Sequence, residues 1–248
     1  MANISVSVVI GTHGRAGLLR NGLASIVNQA PVPGFDIVEI IVVNDGCVPE
    51  DSAVCAEFPL VREVEKHFRK EIHGYSNPAL TYNMAIKAAK GELIVMQGGE
   101  ILWPRKNCFA ELLAAQRKRN HKVVTMSQCE KIGEADGKHT LCLPDSKCIY
   151  YFFGCSFWKD YAVSLGGFEE SYETWGNEDE DFSRVMRKHG AEPLYLSDNC
   201  VTHHQWHPHV SLAAQENPRD KARYAERFRL IELGHLSNEG VEWGVDKK

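Results

Sequence analysis

The sequence lacks the features of several protein classes. None of its eight cysteines forms a Cys-x-x-Cys pair, so the sequence predicts neither a zinc knuckle nor a compact disulfide framework. No stretch approaches the roughly 18 consecutive apolar residues of a membrane-spanning helix, and no basic segment precedes the first apolar run as in a secretory signal. We therefore expect a cytoplasmic protein without a transmembrane segment, whose thiols are free and mostly buried.

An excess of basic residues is also missing. The formal net charge is −5 at pH 7, whereas nucleic-acid-binding domains are usually basic, so we expect no nucleic-acid partner. What is present is the composition of an ordinary globular protein, with 44% hydrophobic and 25% charged residues. The 248 residues are enough for one large α/β domain, which we prefer to two small ones.

Apolar runs alternate with helical patterns along the chain. Residues 6–10 and 38–43 are near-continuous apolar runs, as in parallel strands covered on both faces, and residues 18–27 between them keep helical spacing. This order predicts a right-handed βαβ unit. The alternation continues with a weaker strand pattern at residues 60–68. Two helical patterns follow at 79–89 and 107–119, and three further strand patterns at 92–96, 123–126 and 193–196.

Polar residues follow the first two predicted strands. In open α/β sheets, ligands bind at the carboxyl ends of the strands, which makes Thr12, Arg15 and Asp45 candidates for contact with a nucleotide. The alternative is that each is a turn residue, since Asp45 precedes Gly46 in a common turn pair.

Four acidic residues lie between a glycine turn and an apolar helical pattern, at positions 178–181. Asn177 is the predicted N-cap of this helix, with Glu180 three residues on as in a capping box. Asp179 falls three residues before Phe182 on the apolar face, so its carboxylate either faces a cleft or needs a buried partner. The alternative is a charged helix start without a chemical role.

Several of these segments resemble the family 2 inverting glycosyltransferases of GT-A fold. Gly-Thr-x-x-Arg at 11–15 and Ile-Val-Val-Asn-Asp-Gly at 41–46 look like the family's nucleoside-binding elements. Residues 77–92 are similar to its helix leading into the metal-binding strand end. Gly-Gly-Phe-Glu-Glu at 166–170, followed by Trp-Gly-Asn-Glu-Asp-Glu-Asp at 175–181, resembles the "GGFDE … WGxEDxD" segment of this family and of galactosyl- and N-acetylgalactosaminyltransferases. That last match is the most specific.

The resemblance spans roughly residues 6–208. It implies an α/β fold of GT-A type, which is Rossmann-like, with a mostly parallel central sheet flanked by helices. It places a glycosyltransferase domain at 1–209, with a nucleotide-binding half at 1–100 and an acceptor-binding and catalytic half at 101–209. A final amphipathic pattern predicts a helical extension over residues 210–248.

The same resemblance implies roles for individual residues. Asp179 would act as the catalytic base, with Glu178 as its support or as an acceptor ligand. The acceptor hydroxyl attacks the anomeric carbon while this base takes its proton, and the nucleotide diphosphate leaves from the opposite face. One carboxylate suffices, whereas glycoside hydrolases need a second acid for the leaving group. The donor-binding residues implied in this way are Thr12, Arg15, Asp45, Asn83 and Gln97.

Aromatic residues are candidates for the acceptor site, because aromatic faces stack on sugar rings. We predict acceptor contacts from Tyr151, Trp158, Trp175 and Gly176. The alternative for the aromatic members is a place in the hydrophobic core, where such residues are more often found.

The metal motif departs from the family pattern. GT-A enzymes usually carry Asp-x-Asp at the end of the strand that corresponds to residues 93–96, but this chain has Gln97-Gly98-Gly99. Glu100 is the nearest carboxylate and could bind Mn²⁺ or Mg²⁺ one position late, since both ions favour carboxylate oxygens. The alternative is that the metal is lost.

The histidines near residue 204 indicate that the metal site is retained. His-Gln-Trp-His at 204–207 resembles the family's C-terminal "H-x-W-H" element, which implies that His204 completes the metal site with Glu100. His207 would bind the donor diphosphate, because an imidazole titrates near neutral pH and can carry a proton. A zinc site and surface histidines are the alternatives, although no cysteine lies at finger spacing.

The sequence therefore predicts an inverting glycosyltransferase that moves a sugar from a nucleotide-sugar donor, expected to be a UDP-sugar, to a hydroxyl of a glycan or another acceptor. The leading alternative is a catalytically silent GT-A module that binds nucleotide sugar or glycan, because Asp-x-Asp is missing. A nucleotidyltransferase on a similar fold is disfavoured, because residues 11–15 do not match its glycine-rich basic loop. No oligomeric state is predicted.

Overall fold

A computed structural model describes residues 2–67, 76–133, 139–142, 152, 154–196, 200–208 and 217–246 of the chain. Its strands are β1 (Ile4–Thr12), β2 (Phe35–Asp45), β3 (Val61–Lys66), β4 (Leu93–Gly98), β5 (Ile101–Leu102), β6 (Val123–Met126), β7 (Gln128–Ile132), β8 (His139–Cys142), β9 (Cys155–Trp158), β10 (Glu192–Tyr195) and β11 (Val201–His204). Its helices are α1 (Ala16–Val27), α2 (Pro49–Cys55), α3 (Ala79–Ala88), α4 (Cys108–Ala114), α5 (Lys159–Ser164), α6 (Glu178–Lys188) and α7 (Pro218–Glu232).

A seven-stranded sheet forms the centre of the fold, in the order β10-β6-β9-β4-β1-β2-β3. Strand β9 runs antiparallel to β4 and β6, and the other pairings of this sheet are parallel. The predicted α/β class with a mostly parallel central sheet is therefore confirmed. A second sheet of four strands, in the order β5-β11-β7-β8, lies beyond the end of β4.

The core surrounds the middle strands of the large sheet. Every residue of β4 is buried, and Val8 in β1 and Ile41 in β2 are 0% exposed. Helices cover this sheet with their own apolar residues, such as Leu23 of α1 and Ile86 of α3, both 0% exposed. Strands covered on both faces need continuous apolar runs, which explains why these strands are visible in the sequence.

Some predicted elements change at their boundaries. The weak strand pattern at 60–68 is observed as β3. The helix predicted at 107–119 is divided, because α4 ends at Ala114 and a 3₁₀ turn at Ala115–Lys118 continues it. Strands β7, β8 and β9 lie in a region, from residue 128 to residue 158, where the sequence pattern predicts no strand.

The described part of the C-terminal segment packs back on the rest of the domain. The guanidinium of Arg227 in α7 donates to both carboxylate oxygens of Asp181 in α6, at 2.9 and 3.0 Å. Asp220 at the start of α7 accepts hydrogen bonds from the backbone N–H groups of Glu173 and Thr174, both at 2.8 Å. The segment therefore fixes α6 and the loop that precedes it. Among the described residues, no helix has the length and apolar character needed to cross a membrane.

Candidate active site

The candidate site lies at the edge where the parallel strands of the large sheet end. Thr12 at the end of β1 pairs with Asn44 in β2, and Gly11 pairs with Gly98 at the end of β4. The chain then turns through Glu100 into the second sheet. This edge is where open α/β sheets bind ligands.

One carboxylate and two imidazoles meet beside this edge. His204 of β11 pairs with Ile101 of β5, which brings the histidine next to Glu100. Glu100 Oε1 lies 3.6 Å from His204 Nε2, and ligand atoms of Glu100, His204 and His207 all lie within 4.8 Å of one another. Carboxylate oxygens suit Mn²⁺, and imidazole nitrogens suit first-row transition metals in general. These residues therefore fit the divalent ion that the GT-A resemblance implies.

Two neighbours fix the position of the Glu100 carboxylate. Arg15 Nη1 donates to Glu100 Oε2 at 3.1 Å, so the residue predicted to bind the donor holds a candidate metal ligand. A Cβ atom added at Gly98 would lie 2.8 Å from Glu100 Oε1. A side chain at position 98 would therefore displace this carboxylate.

The protonation state of His204 suits metal binding. Burial lowers the pKa of His204, although the carboxylate of Glu100 opposes this shift. A neutral imidazole offers a lone pair to a cation. His207, which we assigned to the diphosphate, lies in this same cluster. The structure therefore adds a third candidate ligand to the two that the sequence predicts.

Four carboxylates lie in the first turn of α6, and the first two belong to Glu178 and Asp179. Glu178 is 4% exposed, and its Oε2 accepts a hydrogen bond from the Gly176 N–H at 2.7 Å. Burial raises the pKa of Glu178 to about 7. Burial first, and then the charge of Glu178, raise the pKa of Asp179 well above the ordinary carboxyl range.

Asp179 differs from the other acids of this helix in its contacts. Its side chain is half-buried, and among the described residues it forms no hydrogen bond or ion pair. A carboxylate with free oxygens and a raised pKa is suited to accept a proton.

Tyr82 of α3 connects these carboxylates with the histidine cluster. Burial raises the pKa of Tyr82, and the charges of Glu100, Asp179 and Glu178 raise it further. Carboxylates from two distant parts of the chain therefore act on one phenol. Our sequence analysis missed Tyr82; its available signal was its place within the motif at 77–92, directly before Asn83.

The predicted capping box at the start of α6 is wrong. Asn177 occupies the N-cap position, but its side chain accepts no capping hydrogen bond. Glu180 Oε1 instead accepts a hydrogen bond from Arg184 Nη2 at 2.7 Å and another from the Tyr224 hydroxyl of α7. A tertiary partner has replaced the local cap. Asp181 also faces α7, as described above.

The predicted nucleotide-binding residues at the strand ends have internal partners. Asp45 Oδ1 accepts a hydrogen bond from Lys66 Nζ at 2.7 Å, and both side chains are buried. The Thr12 hydroxyl donates to Asp51 Oδ2 at 3.2 Å. Both residues lie at the ligand-binding edge, and their contact with a nucleotide stays a prediction. Nothing in the sequence pattern indicates that the Lys66 side chain would reach this edge and be buried there.

Two other predicted donor-binding residues have structural roles instead. Asn83 is 0% exposed, and its amide group both donates to the Phe168 carbonyl and accepts from the Phe168 N–H, each at 2.8 Å. Gln97 is 0% exposed; its Nε2 donates to the Ile101 carbonyl at 2.9 Å, and its Oε1 accepts from the Trp103 indole. These buried, saturated side chains cannot contact a donor, so both predictions are wrong.

The predicted acceptor residues separate into three groups. Trp158 is 1% exposed and pairs with Leu93 at the far end of β4, so its prediction is wrong because it is part of the core. Trp175 and Gly176 directly precede α6 beside the two carboxylates, where their contact with an acceptor stays a prediction. Tyr151 lies outside the described residues.

Comparison with known proteins agrees with this architecture. Residues 7–164 match the glycosyl transferase family 2 domain. The chain belongs to glycosyl transferase family 2. Chondroitin synthase of Escherichia coli is 24% identical over 259 residues, covering 88% of this family 2 chain and 36% of the relative. Hyaluronan synthase of Pasteurella multocida is 23% identical over 261 residues, covering 88% and 26%. The family 2 chain thus spans well under half of the length of these relatives.

Two solved glycosyltransferase structures share the fold of this family 2 chain. GalNAc-T7 with UDP, GalNAc and Mn²⁺ superposes with a TM-score of 0.67 at 15% identity, covering 90% of this chain and 48% of the other. The mannosyltransferase PcManGT from Pyrobaculum calidifontis, in complex with GDP-Man and Mn²⁺, gives 0.62 at 17% identity, covering 95% and 66%. The predicted GT-A fold is confirmed.

Proposed function

We propose that this family 2 chain is an inverting glycosyltransferase that transfers a sugar from a nucleotide-sugar donor to a hydroxyl acceptor, with Asp179 as the base. One observation carries this function. Asp179 forms no hydrogen bond or ion pair with any residue that the structure describes, yet its charge and that of Glu100 act on the same phenol of Tyr82. This shared neighbour supports a proton acceptor and a metal-binding cluster that lie close enough to act on one donor.

The transfer is a single displacement. The oxygen of the acceptor hydroxyl forms a bond to the anomeric carbon, and the bond from this carbon to the diphosphate oxygen breaks. The nucleotide diphosphate leaves with the electron pair, and Asp179 receives the hydroxyl proton. Burial and the charge of Glu178 raise the pKa of Asp179, which makes its carboxylate a stronger proton acceptor than an exposed aspartate. Attack opposite to the leaving group inverts the configuration.

Glu100, His204 and His207 would hold the divalent cation. When bound, such an ion stabilises the negative charge that develops on a departing diphosphate. Arg15 keeps the Glu100 carboxylate oriented through its 3.1 Å hydrogen bond. The glycine at position 98 leaves this carboxylate the space that it occupies.

The comparisons support particular substrates. The GalNAc-T7 structure contains UDP, which favours a UDP-sugar donor, and the mannosyltransferase complex with GDP-Man makes a GDP-sugar the competing class. The nucleoside would lie near Thr12 and Asp45 at the strand ends. The names of the curated relatives, chondroitin synthase and hyaluronan synthase, support a glycan acceptor.

A catalytically silent module that binds nucleotide sugar or glycan is the second candidate. It is favoured by the missing Asp-x-Asp motif, because Gln97 is 0% exposed and offers no ligand in its place. A silent module would bind a donor without turning it over.

Transfer and hydrolysis assays over UDP- and GDP-sugars with Mn²⁺, with NMR of the product anomer, test this function. We expect Asp179→Asn to lower the rate at least about 100-fold, as for loss of a general base, with donor affinity retained. Glu180→Gln, one position along the same helical turn, is the matched control. Unchanged turnover in Asp179→Asn would disprove the base, and a retained anomer would disprove the single displacement. Donor binding without turnover in the wild type would favour the silent module.

A further inference from the structure

A second cluster of metal-binding side chains shares no residue with the candidate active site. Strands β2 and β3 are parallel, with Asp45 opposite Lys66, so the residues that follow these strands meet. Cys47 Sγ lies 3.1 Å from His67 Nδ1, and His67 Nε2 lies 3.4 Å from Glu65 Oε2. Ligand atoms of Cys47, Glu65 and His67 all lie within 4.8 Å of one another.

The distance from Cys47 Sγ to His67 Nδ1 is close to that of a tetrahedral zinc site. Metal–sulfur and metal–nitrogen bonds of about 2.3 and 2.0 Å at a tetrahedral angle separate sulfur from nitrogen by roughly 3.5 Å. Only one ring nitrogen of His67 can bind the ion, so the carboxylate of Glu65 must rotate toward Nδ1. Its side chain is 60% exposed and has the freedom to do so.

The backbone at Cys47 is unusual. Its φ angle is 53°, in the left-handed region that residues other than glycine seldom adopt. Such strained positions cluster at functional sites. Here the conformation places the thiol beside His67, whose own backbone N–H donates to Asp246 Oδ2 at 2.8 Å.

The thiol lies in a negative electrostatic field. Burial raises the pKa of Cys47, and surrounding carboxylates raise it further. A concentration of like charges attracts counter-ions of opposite sign. A divalent cation at this point would offset the negative charge of these carboxylates. The carboxylates that act on the thiol are those of Glu65, Asp246, Glu63 and Asp45.

We propose that Cys47, Glu65 and His67 bind a Zn²⁺ ion. Thiolate, imidazole and carboxylate together form a donor set of zinc sites, whereas Mg²⁺ and Mn²⁺ disfavour thiolate. On binding, the thiol proton passes to solvent and a zinc–sulfur bond forms, with water in the fourth position. The ion would fasten the turn after β2 to the end of β3 and, through His67, to the segment that carries Asp246.

Cobalt titration of the purified chain tests the site, because Co²⁺ replaces Zn²⁺ and a cobalt–thiolate bond gives a charge-transfer absorption band. We expect one equivalent of Co²⁺ to produce this band in the wild type and Zn²⁺ to remove it. The band is expected to be lost in Cys47→Ser and weakened at least about 10-fold in apparent affinity in His67→Gln. Glu100→Gln should keep it, since no cysteine belongs to the Glu100 cluster.

His235→Gln is the matched control, because His235 and Glu239 form an exposed imidazole–carboxylate pair. Among the described residues, no cysteine forms a possible metal site with this pair. The variant should keep the band at wild-type affinity. Absence of a charge-transfer band in the wild type, or a band that persists in Cys47→Ser, would overturn the proposal. Neither result depends on glycosyl transfer, so the proposed function and this site can fail separately.

Discussion

Glu178 and Asp179 are adjacent in sequence but differ in their surroundings. Glu178 is buried and accepts a hydrogen bond from the backbone that leads into α6, whereas Asp179 is half-buried and its side chain forms no hydrogen bond or ion pair with a described residue. Burial and the charge of Glu178 both raise the pKa of Asp179, so Asp179 holds its proton to higher pH than an isolated acid. Glu178 can thus tune the pKa of the proposed base through its charge.

Replacement of Glu178 by glutamine should move the acidic limb of the pH–rate profile to lower pH. The charge of Glu178 raises the pKa of Asp179, so its removal lowers that pKa and keeps the base ionised in more acidic solution. Glutamine retains an oxygen that can accept the Gly176 N–H. The measurement is kcat/KM for transfer against pH, with Glu180→Gln as the control. An unmoved limb, or one moved upward, would contradict the coupling.

Replacement of Gly98 by alanine should weaken Mn²⁺ binding while the fold persists. The new Cβ would lie 2.8 Å from Glu100 Oε1 and would displace that carboxylate. We expect a loss of at least about 10-fold in affinity, as for other disturbances of a ligand's support, measured by calorimetric titration. Gly17→Ala is the control, because a Cβ there meets no atom within 4 Å. Equal Mn²⁺ affinities of the two variants would argue against Glu100 as a ligand.

At the scale of elements, helix α6 depends on helix α7. Arg227 is 3% exposed and bonds both oxygens of Asp181, which is 1% exposed. Arg227 Nε also lies 3.3 Å from Glu169 Oε2 in the glycine-rich segment before α6. One guanidinium therefore joins the helix that carries the proposed base to the loop in front of it.

Arg227→Met should destabilise the protein by about 3–5 kcal/mol, because it leaves the buried charge of Asp181 unpaired. Urea denaturation measures this loss. Arg187→Met is the control, since Arg187 is exposed on α6, the helix that carries Asp181, and surface changes usually cost less than about 0.5 kcal/mol. A second change, Asp181→Leu, should restore much of the stability, because an apolar pair can replace a buried ion pair. A loss equal to that of the control would disprove the role of this ion pair.

Which elements the sequence predicts depends on how local their causes are. Strands β1, β2 and β4 are buried on both faces, and their continuous apolar runs are enough to predict such strands. Strands β5 and β11 are short, and they form because Ile101 and His204 pair across about a hundred residues. The predicted capping box is absent for a similar reason: Glu180 accepts a hydrogen bond from Tyr224 of another helix, which is distant in sequence.

For the whole molecule, burial of Glu178 makes the free energy of unfolding depend on pH. The ordinary pKa of a glutamate, 4.5, applies to Glu178 in the unfolded chain, and its pKa in the folded protein is about 7. The folded protein therefore binds the proton of Glu178 more tightly than the unfolded chain does. The resulting stability is fully present below pH 4.5 and is lost as pH rises toward 7. The difference between 4.5 and about 7 corresponds to roughly 3 kcal/mol.

Urea unfolding of the wild type and of Glu178→Gln, at about pH 5 and about pH 8, measures this linkage. The wild type should lose stability relative to the variant as pH rises between these values, because only the wild type must bury an ionised Glu178 at the higher pH. A stability difference that stays constant over this range would show that Glu178 ionises in the fold as freely as in the unfolded chain.

The candidate site was predictable in part. The helical register and the family resemblance both selected Asp179, and the resemblance selected Glu100 and His204. The place of Tyr82 depends on the close packing of α3 against β1, where a Cβ at Gly11 would lie 3.3 Å from Tyr82 Cε1. Polar residues of a motif look alike in sequence whether they face a ligand or the core, which explains the errors for Asn83 and Gln97.

The Glu100 cluster also joins the two sheets. Glu100 lies in the turn that leaves β4, while His204 belongs to β11 of the four-stranded sheet. An ion held by both would act as a removable cross-link between the sheets, and it would add about 2.7 kcal/mol of stability when present at about a hundred times its dissociation constant. Proteases act on the unfolded population. A cell short of this cation would therefore degrade the protein faster, so that its abundance would follow the supply of the ion.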